Sequence, residues 1–189
     1  MRDRRVIAAM RRQPRAAFLP SDLVGLAEQD RPIPIGGGQT NSQPTTVAMM
    51  LSWLQVRQGD RVLDVGAGSG WTTALLAELV GPTGSVCGVE LDPQLAEWGS
   101  ANVAARGVPW AVVRRSEPGQ LGWPDTPPYD RILVSAGTHE VPHELIDQLA
   151  SGGTMVIPVS GQMFVVRKQT DGTVDLQRHG SFRFVPLVR

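Results

Sequence analysis

The sequence predicts an α/β protein with a doubly wound, mostly parallel sheet and helices on both faces. Three observations support this prediction. Short apolar runs typical of buried strands alternate with longer segments of helical spacing. A glycine-rich turn joins one of these runs to a helix, and the last two apolar runs have no helix between them. Alternation builds parallel sheets, whereas strands joined by short turns pair antiparallel. We therefore expect seven strands, with antiparallel pairing at one edge.

The N-terminal part of the chain is expected to form a short helical extension. Residues 5–12 have helical spacing, and Ser21 is a plausible N-cap for a second helix ending near Glu28. The arginines of this region are interpreted as a solvated helix face, with an anionic partner as the alternative. Residues 32–38 are then extended and glycine-rich. A longer helix is predicted to begin near Ser42 or Gln43, because Pro44 suits a first helical turn.

The rest of the chain alternates regularly. Strands are predicted at 61–65, 85–90, 111–113, 131–135 and 154–158, and helices at 71–80, 93–106 and 144–149. Two further strands are predicted at 163–168 and 182–188, with turns at 151–153 and 170–172. Since no repeat or linker is visible, we expect one domain over residues 1–189. Residues 1–44 would cover the active site, and 45–189 would form the cofactor-binding core.

Composition argues against several classes of protein. Lys plus Arg and Asp plus Glu both number 18, so no net charge attracts nucleic acid or an anionic membrane. No apolar run approaches the roughly 18 residues of a membrane span. The single cysteine allows no internal disulfide and suits a reducing compartment. The three histidines lack metal-type partners, so no metal is expected. We expect a cytoplasmic monomer.

The turn after the strand at 61–65 carries the first chemical signal. Residues 66–70 read Gly-Ala-Gly-Ser-Gly, with an acid at Asp64 just before them. This short glycine spacing is typical of S-adenosylmethionine enzymes and differs from the Gly-x-Gly-x-x-Gly of dinucleotide-binding folds. A nicotinamide enzyme is the alternative, but no clear hydride-handling site accompanies the loop. A phosphoryl-transfer enzyme is disfavoured because no lysine of the Walker type follows the glycines.

Two acids near this turn are candidate ligand-binding residues. Glu90 ends the second predicted strand, where a carboxylate can accept hydrogen bonds from both hydroxyls of a ribose. A solvated acid at a strand end is the alternative. Asp64 is expected to hold loop amides or, through water, the amine of a methionine group, and a purely structural role is its alternative.

Segments in one order along nearly the whole chain resemble the protein-L-isoaspartate O-methyltransferase family. The most specific is residues 36–44, Gly-Gly-Gly-Gln-Thr-Asn-Ser-Gln-Pro. The others lie at 15–20, 30–35, 121–124, 129–132, 152–153 with 157–158, and 184–188. The resemblance implies methyl transfer from S-adenosylmethionine to the α-carboxylate of L-isoaspartyl residues in damaged proteins or peptides. The products would be the methyl ester and S-adenosylhomocysteine, and the ester would cyclise spontaneously to a succinimide.

The resemblance also implies roles for individual residues. Ser42 matches the catalytic serine of the signature, although by itself it reads as a helix N-cap. The implied cofactor-binding residues are Gln39, Thr40, Asp64, Gly66, Ala67, Gly68, Gly70, Glu90, Leu91, Glu117 and Gln162. The implied substrate-binding residues are Asn41, Ser42, Ala136, Gly137 and Thr138.

The sequence departs from the family pattern at a few positions. Asn41 stands where an apolar residue is usual, and the family's Gly-Asp-Gly reads Glu117-Pro118-Gly119 here. The segment at 136–139 also differs. These departures leave two alternatives beside the repair enzyme. One is a relative that methylates a carboxylate of a modified peptide natural product, and the other is a non-catalytic relative that binds cofactor or peptides.

Overall fold

The N-terminal extension in the computed structural model, which describes residues 3–126 and 128–188, holds one α-helix and a hairpin. Helix α1 (Arg4–Arg12) is capped by Asp3, whose side chain accepts the amide of Arg5 at 2.8 Å. The helix predicted after Ser21 was wrong, because the chain there forms turns and a 3-10 helix at Val24–Leu26. The segment 32–38, predicted as extended and then glycine-rich, contains β1 (Ile33–Gly36). This strand forms a hairpin with β2 (Gln39–Asn41).

The core then alternates strands and helices as predicted. In chain order its elements are α2 (Pro44–Leu54), β3 (Arg61–Val65), α3 (Trp71–Val80), β4 (Ser85–Glu90), α4 (Pro93–Ala104), β5 (Ala111–Arg115), β6 (Tyr129–Val134), α5 (His143–Gln148), β7 (Leu149–Val159), β8 (Gln162–Lys168) and β9 (Val174–Ser181).

The main sheet has seven strands in the order β5-β4-β3-β6-β7-β8-β9, which confirms the predicted architecture. The first five of these strands run parallel, and β8 and β9 are antiparallel to their neighbours. Chain order reverses at β3, because β4 lies on one side of it and β6 on the other. In open α/β sheets a ligand cleft forms at such a reversal, outside the carboxyl ends of the strands.

Apolar side chains from helices cover both faces of the sheet. One face packs against α2, α3 and α4, through residues such as Leu51, Leu75 and Val103, and α1 packs on α2 and α3. The other face packs against the short helix α5, where Leu145 is fully buried. Within the described ranges, no helix combines the length and apolarity needed to cross a bilayer.

The seventh strand lies at a different place from the one predicted. Strand β9 occupies Val174–Ser181, and the apolar run at 182–188 is outside the sheet. The prediction was wrong because β9 is an exposed edge strand with little apolar alternation, so its sequence carries a weak strand signal. The apolar run instead crosses back toward Gly137, whose amide donates to Val185 O at 2.7 Å.

The turn predicted at 151–153 also proved wrong. These residues belong to β7, which pairs with β6 through a shift in register between Tyr129 and Arg131. Gly152 has a φ of 76°, which glycine adopts without strain, so the chain passes through the irregularity and continues as a strand.

Candidate active site

A cleft of about 320 Å³ opens at the carboxyl ends of the central strands. Its floor is the ends of β3, β4 and β6 and the turns that follow them. One wall of the cleft comes from the N-terminal extension, through the hairpin and Ser42. The segment at 185–188, near the other end of the chain, also lines the cleft. Residues more than 140 positions apart in the sequence therefore share one cavity, at the place where chain order reverses.

Backbone hydrogen bonds hold the glycine loop, residues 66–70, against the end of β4. The amides of Gly66 and Ala67 both donate to Val89 O, at 2.9 and 3.0 Å. Gly66 and Gly68 have φ values of 79° and 52°, in the left-handed region that favours glycine. Gly70 also has a positive φ, of 87°, and a Cβ there would lie 2.8 Å from Gly99 O of α4.

Glu90 is built into the cleft wall as an acceptor. One carboxylate oxygen accepts the amide of Gly68 at 2.8 Å, and the other accepts the amides of Leu91 at 2.8 Å and Asp92 at 3.1 Å. These bonds fix the orientation of the carboxylate and support its charge. A carboxylate has about four lone-pair sites, so acceptor capacity remains for hydroxyls of a ligand.

Asp64 is fully buried directly beneath the glycine loop. One of its oxygens accepts the hydroxyls of Thr72 and Thr73, both at 2.7 Å, whereas Oδ1 has no hydrogen-bond partner among the described residues. Burial raises the pKa of this carboxyl to about 6, and the two threonine hydroxyls oppose that shift. The sequence left three roles open for Asp64: holding loop amides, reaching a methionine amine through water, or a purely structural role. Its hydrogen-bond partners in the structure are side chains of α3, not loop amides.

Arg15 ties the hairpin to the rest of the extension. Its Nε donates to Asn41 Oδ1 at 2.8 Å, and its Nη atoms donate to the carbonyls of Ala27, Gln29, Arg31, Asn41 and Ser42. The side chain is buried, and desolvation lowers the pKa of its guanidinium to about 10. The interpretation of the N-terminal arginines as a solvated face was therefore wrong for Arg15.

Ser42 lies at the cleft, one residue after the hairpin. It was a plausible N-cap of α2, but that helix begins at Pro44 and its N-cap residue, Gln43, makes no side-chain capping bond. The Thr45 amide is instead accepted by Asp30 Oδ1 at 2.9 Å. Within residues 3–126 and 128–188 the Ser42 hydroxyl makes no hydrogen bond, so it is available to a ligand.

The structure brings most of the predicted site residues together. Those that line the cleft are Gln39, Thr40, Asn41, Ser42, Gly66, Ala67, Gly68, Glu90, Leu91 and Ala136. Those that do not line it are Asp64, Gly70, Glu117, Gly137, Thr138 and Gln162.

The displaced residues have other partners or face solvent. Gln162 Nε2 donates to Ser181 Oγ at 3.1 Å, on the antiparallel side of the sheet. Thr138 donates through its amide to Pro158 O at 3.0 Å, and Gly137 is engaged by the segment at 185–188. Glu117 is exposed, and its carbonyl accepts the amide of Gln120 at 3.0 Å.

Sequence reasoning missed several cleft residues. They are Asp92, Ser116, Gln120, Leu121 and the segment at 185–188. Gln120 could have been found from the sequence, because it is a polar residue directly after Gly119 in the turn that follows the third predicted strand. The terminal segment belonged to the family resemblance, but nothing in its sequence showed that it reaches the cleft, since its contact with Gly137 links positions nearly 50 residues apart.

The cleft suits S-adenosylmethionine chemically. Glu90 offers acceptors for ribose hydroxyls, and the cleft walls include apolar side chains such as Leu91 and Leu121 for a purine. Asp64 is buried two residues before the glycine loop, and among the described residues its Oδ1 has no hydrogen-bond partner. Among the residues that the structure describes, no group of three or more His, Cys, Asp or Glu side chains is arranged to hold a metal ion.

Comparison with known proteins identifies relatives over the full length. The family model of protein-L-isoaspartate(D-aspartate) O-methyltransferase matches residues 1–189. A protein-L-isoaspartate O-methyltransferase of Methanopyrus kandleri is 45% identical, with 100% of this chain and 85% of the relative covered. One of Anaeromyxobacter dehalogenans is 46% identical, with 99% and 90% covered.

Solved structures agree with these sequence matches. A protein-L-isoaspartate O-methyltransferase superposes with a TM-score of 0.86 at 28% identity, and the match covers 98% of this chain but only 62% of that longer chain. A protein described as a Plasmodium falciparum isoaspartate methyltransferase in complex with S-adenosyl-L-homocysteine superposes at 0.83. At 22% identity, with 99% and 91% of the two chains covered, that second match supports the fold alone. From its full-length family match and these relatives, the chain belongs to the protein-L-isoaspartate(D-aspartate) O-methyltransferase family.

Proposed function

We propose that this protein transfers the methyl group of S-adenosylmethionine to the α-carboxylate of L-isoaspartyl residues, through the cleft between the glycine loop and the hairpin. The observation that carries the proposal is the position of Ser42. Ser42, whose hydroxyl has no hydrogen-bond partner within residues 3–126 and 128–188, lines the same cavity as Glu90 and the glycine loop. A substrate group held by the serine would therefore meet the cofactor without any rearrangement of the sheet.

Glu90 is the proposed anchor for the ribose of the cofactor. Its oxygens are already oriented by three backbone amides, so they are placed to accept ribose hydroxyls at little entropic cost. Glycines 66 and 68 allow backbone to approach the ligand closely. Gln39 and Thr40 line the cleft from the hairpin.

Gln120 is proposed to face the adenine. The ribose anchor lies at the end of β4, and Ser42 must lie near the methyl group. The purine therefore extends toward the end of β5, where Ser116, Gln120 and Leu121 line the cleft. The side-chain amide of Gln120 can accept a hydrogen bond from the adenine amino group. Glu117, which the resemblance implied as a cofactor-binding residue, is exposed outside the cleft, and Pro118 has no polar side chain.

The reaction needs little acid–base help from the protein. A substrate carboxylate with a pKa of about 4 is ionised at neutral pH and attacks as it is. When bound, S-adenosylmethionine supplies an electrophilic methyl group on a good sulfonium leaving group. The protein has to align the attacking oxygen and exclude water, and alignment alone can contribute on the order of 7–11 kcal/mol. Ser42 would donate one hydrogen bond that orients the incoming carboxylate.

The partners that follow are proteins or peptides carrying isoaspartyl residues. A monomer is proposed, because the exposed large apolar side chains lie on separate elements. Val112 is on β5 and Leu176 on β9, at opposite edges of the sheet. A cytoplasmic location is proposed because the single cysteine suits a reducing compartment. Light scattering coupled to size-exclusion chromatography measures the oligomeric state.

The activity is tested by methyl transfer from labelled S-adenosylmethionine to a short L-isoaspartyl peptide, with its L-aspartyl twin as the control. We expect label on the isoaspartyl peptide alone. Equal labelling of both peptides would contradict selectivity for isoaspartate. Cofactor binding with no labelling of either peptide would overturn the proposed substrate and direct attention to another carboxylate or to a binding role.

A further inference from the structure

Asn41 lies where three segments of the chain meet. Its Oδ1 accepts from Arg15 Nε at 2.8 Å, which joins it to the N-terminal extension. Its Nδ2 donates to Ser69 Oγ at 3.2 Å, which joins it to the glycine loop. Its own position ends the hairpin, opposite Ile33, and the next residue is Ser42. One amide side chain thus bridges the loop of the cofactor site and the segment that carries the serine.

Both ends of this bridge are fixed. Ser69 is 2% exposed, and its carbonyl accepts Asn102 Nδ2 of α4 at 2.9 Å. On the other side, Arg15 Nη2 donates to the carbonyls of Asn41 and Ser42, at 2.9 and 3.0 Å. A shift of the glycine loop would therefore be passed to the backbone around Ser42 through hydrogen bonds that have few alternatives in a buried setting.

Burial makes the bridge expensive to break. Asn41 is 4% exposed, and both polar atoms of its side chain have partners. A buried donor or acceptor that loses its partner carries a desolvation penalty, whereas an exposed one bonds to water. The arrangement therefore favours one relative position of hairpin and loop over others.

We propose that Asn41 is a positioning residue that couples the cofactor loop to the placement of Ser42, rather than a direct ligand of the substrate. The inference rests on the role proposed above for Ser42. Asn41 acts through the backbone of Ser42 and through Ser69. Its side-chain oxygen and nitrogen already hydrogen-bond to Arg15 and Ser69. Because reactivity depends on alignment of oxygen, methyl and sulfur, a small displacement of Ser42 lowers turnover more than it lowers binding.

The test uses Ser69→Ala, which removes the loop end of the bridge by deleting one hydroxyl. We expect kcat with the isoaspartyl peptide to fall about 10-fold, the factor that corresponds to one lost buried hydrogen bond. The dissociation constant of S-adenosylhomocysteine, measured by calorimetry, should change less than about 2-fold on this reading. Ser52→Ala is the matched control and should leave kcat unchanged, since the half-buried Ser52 hydroxyl donates to Ala48 O within α2.

A double variant distinguishes coupling from two separate effects. Asn41→Leu removes both ends of the bridge, so adding Ser69→Ala to it should lower kcat no further. If the kcat losses of Asn41→Leu and Ser69→Ala multiply in the double variant, the proposed coupling is wrong. It is also wrong if Ser69→Ala weakens cofactor binding instead of lowering kcat. A kcat loss that disappears at lower temperature, together with a lowered Tm, would indicate a merely structural role. Ser42→Ala measured in parallel separates failure of the serine's role from failure of the bridge.

Discussion

The carboxylate of Asp30 accepts the backbone amide of Thr45 at 2.9 Å, and Gln43 Nε2 at 3.0 Å, across the start of α2. These two bonds lower the pKa of Asp30, because they favour its charged form. A residue 15 positions upstream thus takes the capping role that the sequence suggested for Ser42. The serine hydroxyl is left unpartnered within the described ranges, at the edge of the cleft.

Asp30→Ala should therefore destabilise the fold modestly. Loss of an N-cap acceptor costs about 1 kcal/mol, and we expect a decrease of this size in the free energy of unfolding by urea titration. Asp22→Ala, a change at an exposed aspartate, should alter the free energy of unfolding by no more than about 0.5 kcal/mol. Equal effects of the two variants would contradict the capping role.

Ser42→Ala should separate catalysis from stability. With capping assigned to Asp30, removal of the Ser42 hydroxyl should leave the free energy of unfolding within about 0.5 kcal/mol of the parent. Turnover of the isoaspartyl peptide should fall about 10- to 100-fold, since one orienting hydrogen bond is lost. Steady-state kinetics and urea unfolding measure both quantities. Unchanged turnover would remove Ser42 from the mechanism.

Glu90→Gln should weaken cofactor binding. The amide keeps the shape of the carboxylate but carries one acceptor oxygen instead of two, and its NH₂ group would face backbone amides. We expect S-adenosylhomocysteine to bind about 1–3 kcal/mol more weakly by calorimetry, the scale of a hydrogen bond to a charged group. Glu117→Gln is the matched control, because Glu117 is exposed outside the cleft. A dissociation constant unchanged in Glu90→Gln would refute the ribose assignment.

Gln120→Ala should alter recognition of the purine. Its effect is measured with S-adenosylhomocysteine and with S-inosylhomocysteine, which has an oxo group in place of the amino group. The carboxylate of Gln120→Glu can accept from the amino group of the adenosyl ligand but repels the oxo group of the inosyl ligand. The ratio of the two affinities should therefore favour the adenosyl ligand more strongly in this variant than in the parent. We expect Gln120→Ala to bind the adenosyl ligand about 10-fold more weakly. If the ratio of the two affinities is the same in all three proteins, Gln120 does not contact that edge of the base.

Asp64 should make stability depend on pH in an unusual direction for an acid. Its pKa is raised to about 6 in the folded protein, above the ordinary 3.8, so the folded state holds the proton more tightly than the unfolded state. The stability associated with the protonated form is present below pH 4 and is lost as pH rises through about 6. Two pKa units correspond to about 2–3 kcal/mol.

Asp64→Asn should remove that pH-dependent contribution. The stability difference between pH 4.5 and pH 7.5, from urea unfolding without ligand, should change by about 2 kcal/mol relative to the parent. Asn can still accept both threonine hydroxyls through its oxygen. A cationic cofactor favours the ionised carboxylate, so saturating S-adenosylmethionine should reduce the parent's dependence on pH in this range. An identical pH profile for parent and variant would contradict the raised pKa.

Many helices and strands of the core could be predicted from the sequence, because the patterns that indicate them extend over only a few residues. The run at 61–65 became β3 at its predicted bounds, and the helix at 71–80 became α3, since apolar periodicity and glycine punctuation act over a few residues. The glycine loop and Glu90 were placed correctly at one edge for the same reason, as consecutive parallel strands end on the same side of a sheet.

The sequence did not determine contacts between distant segments. Nothing near Arg15 shows that its guanidinium is buried against Asn41, and nothing near Asp30 shows that it caps α2. The same holds for the run at 182–188, which has a strand-like composition yet crosses the cleft rim. These outcomes depend on which surfaces meet when the layers pack, because burial and hydrogen-bond partners are decided in three dimensions. The family and its reaction are encoded in short local motifs, whereas the position of the Ser42 hydroxyl is decided by the tertiary structure.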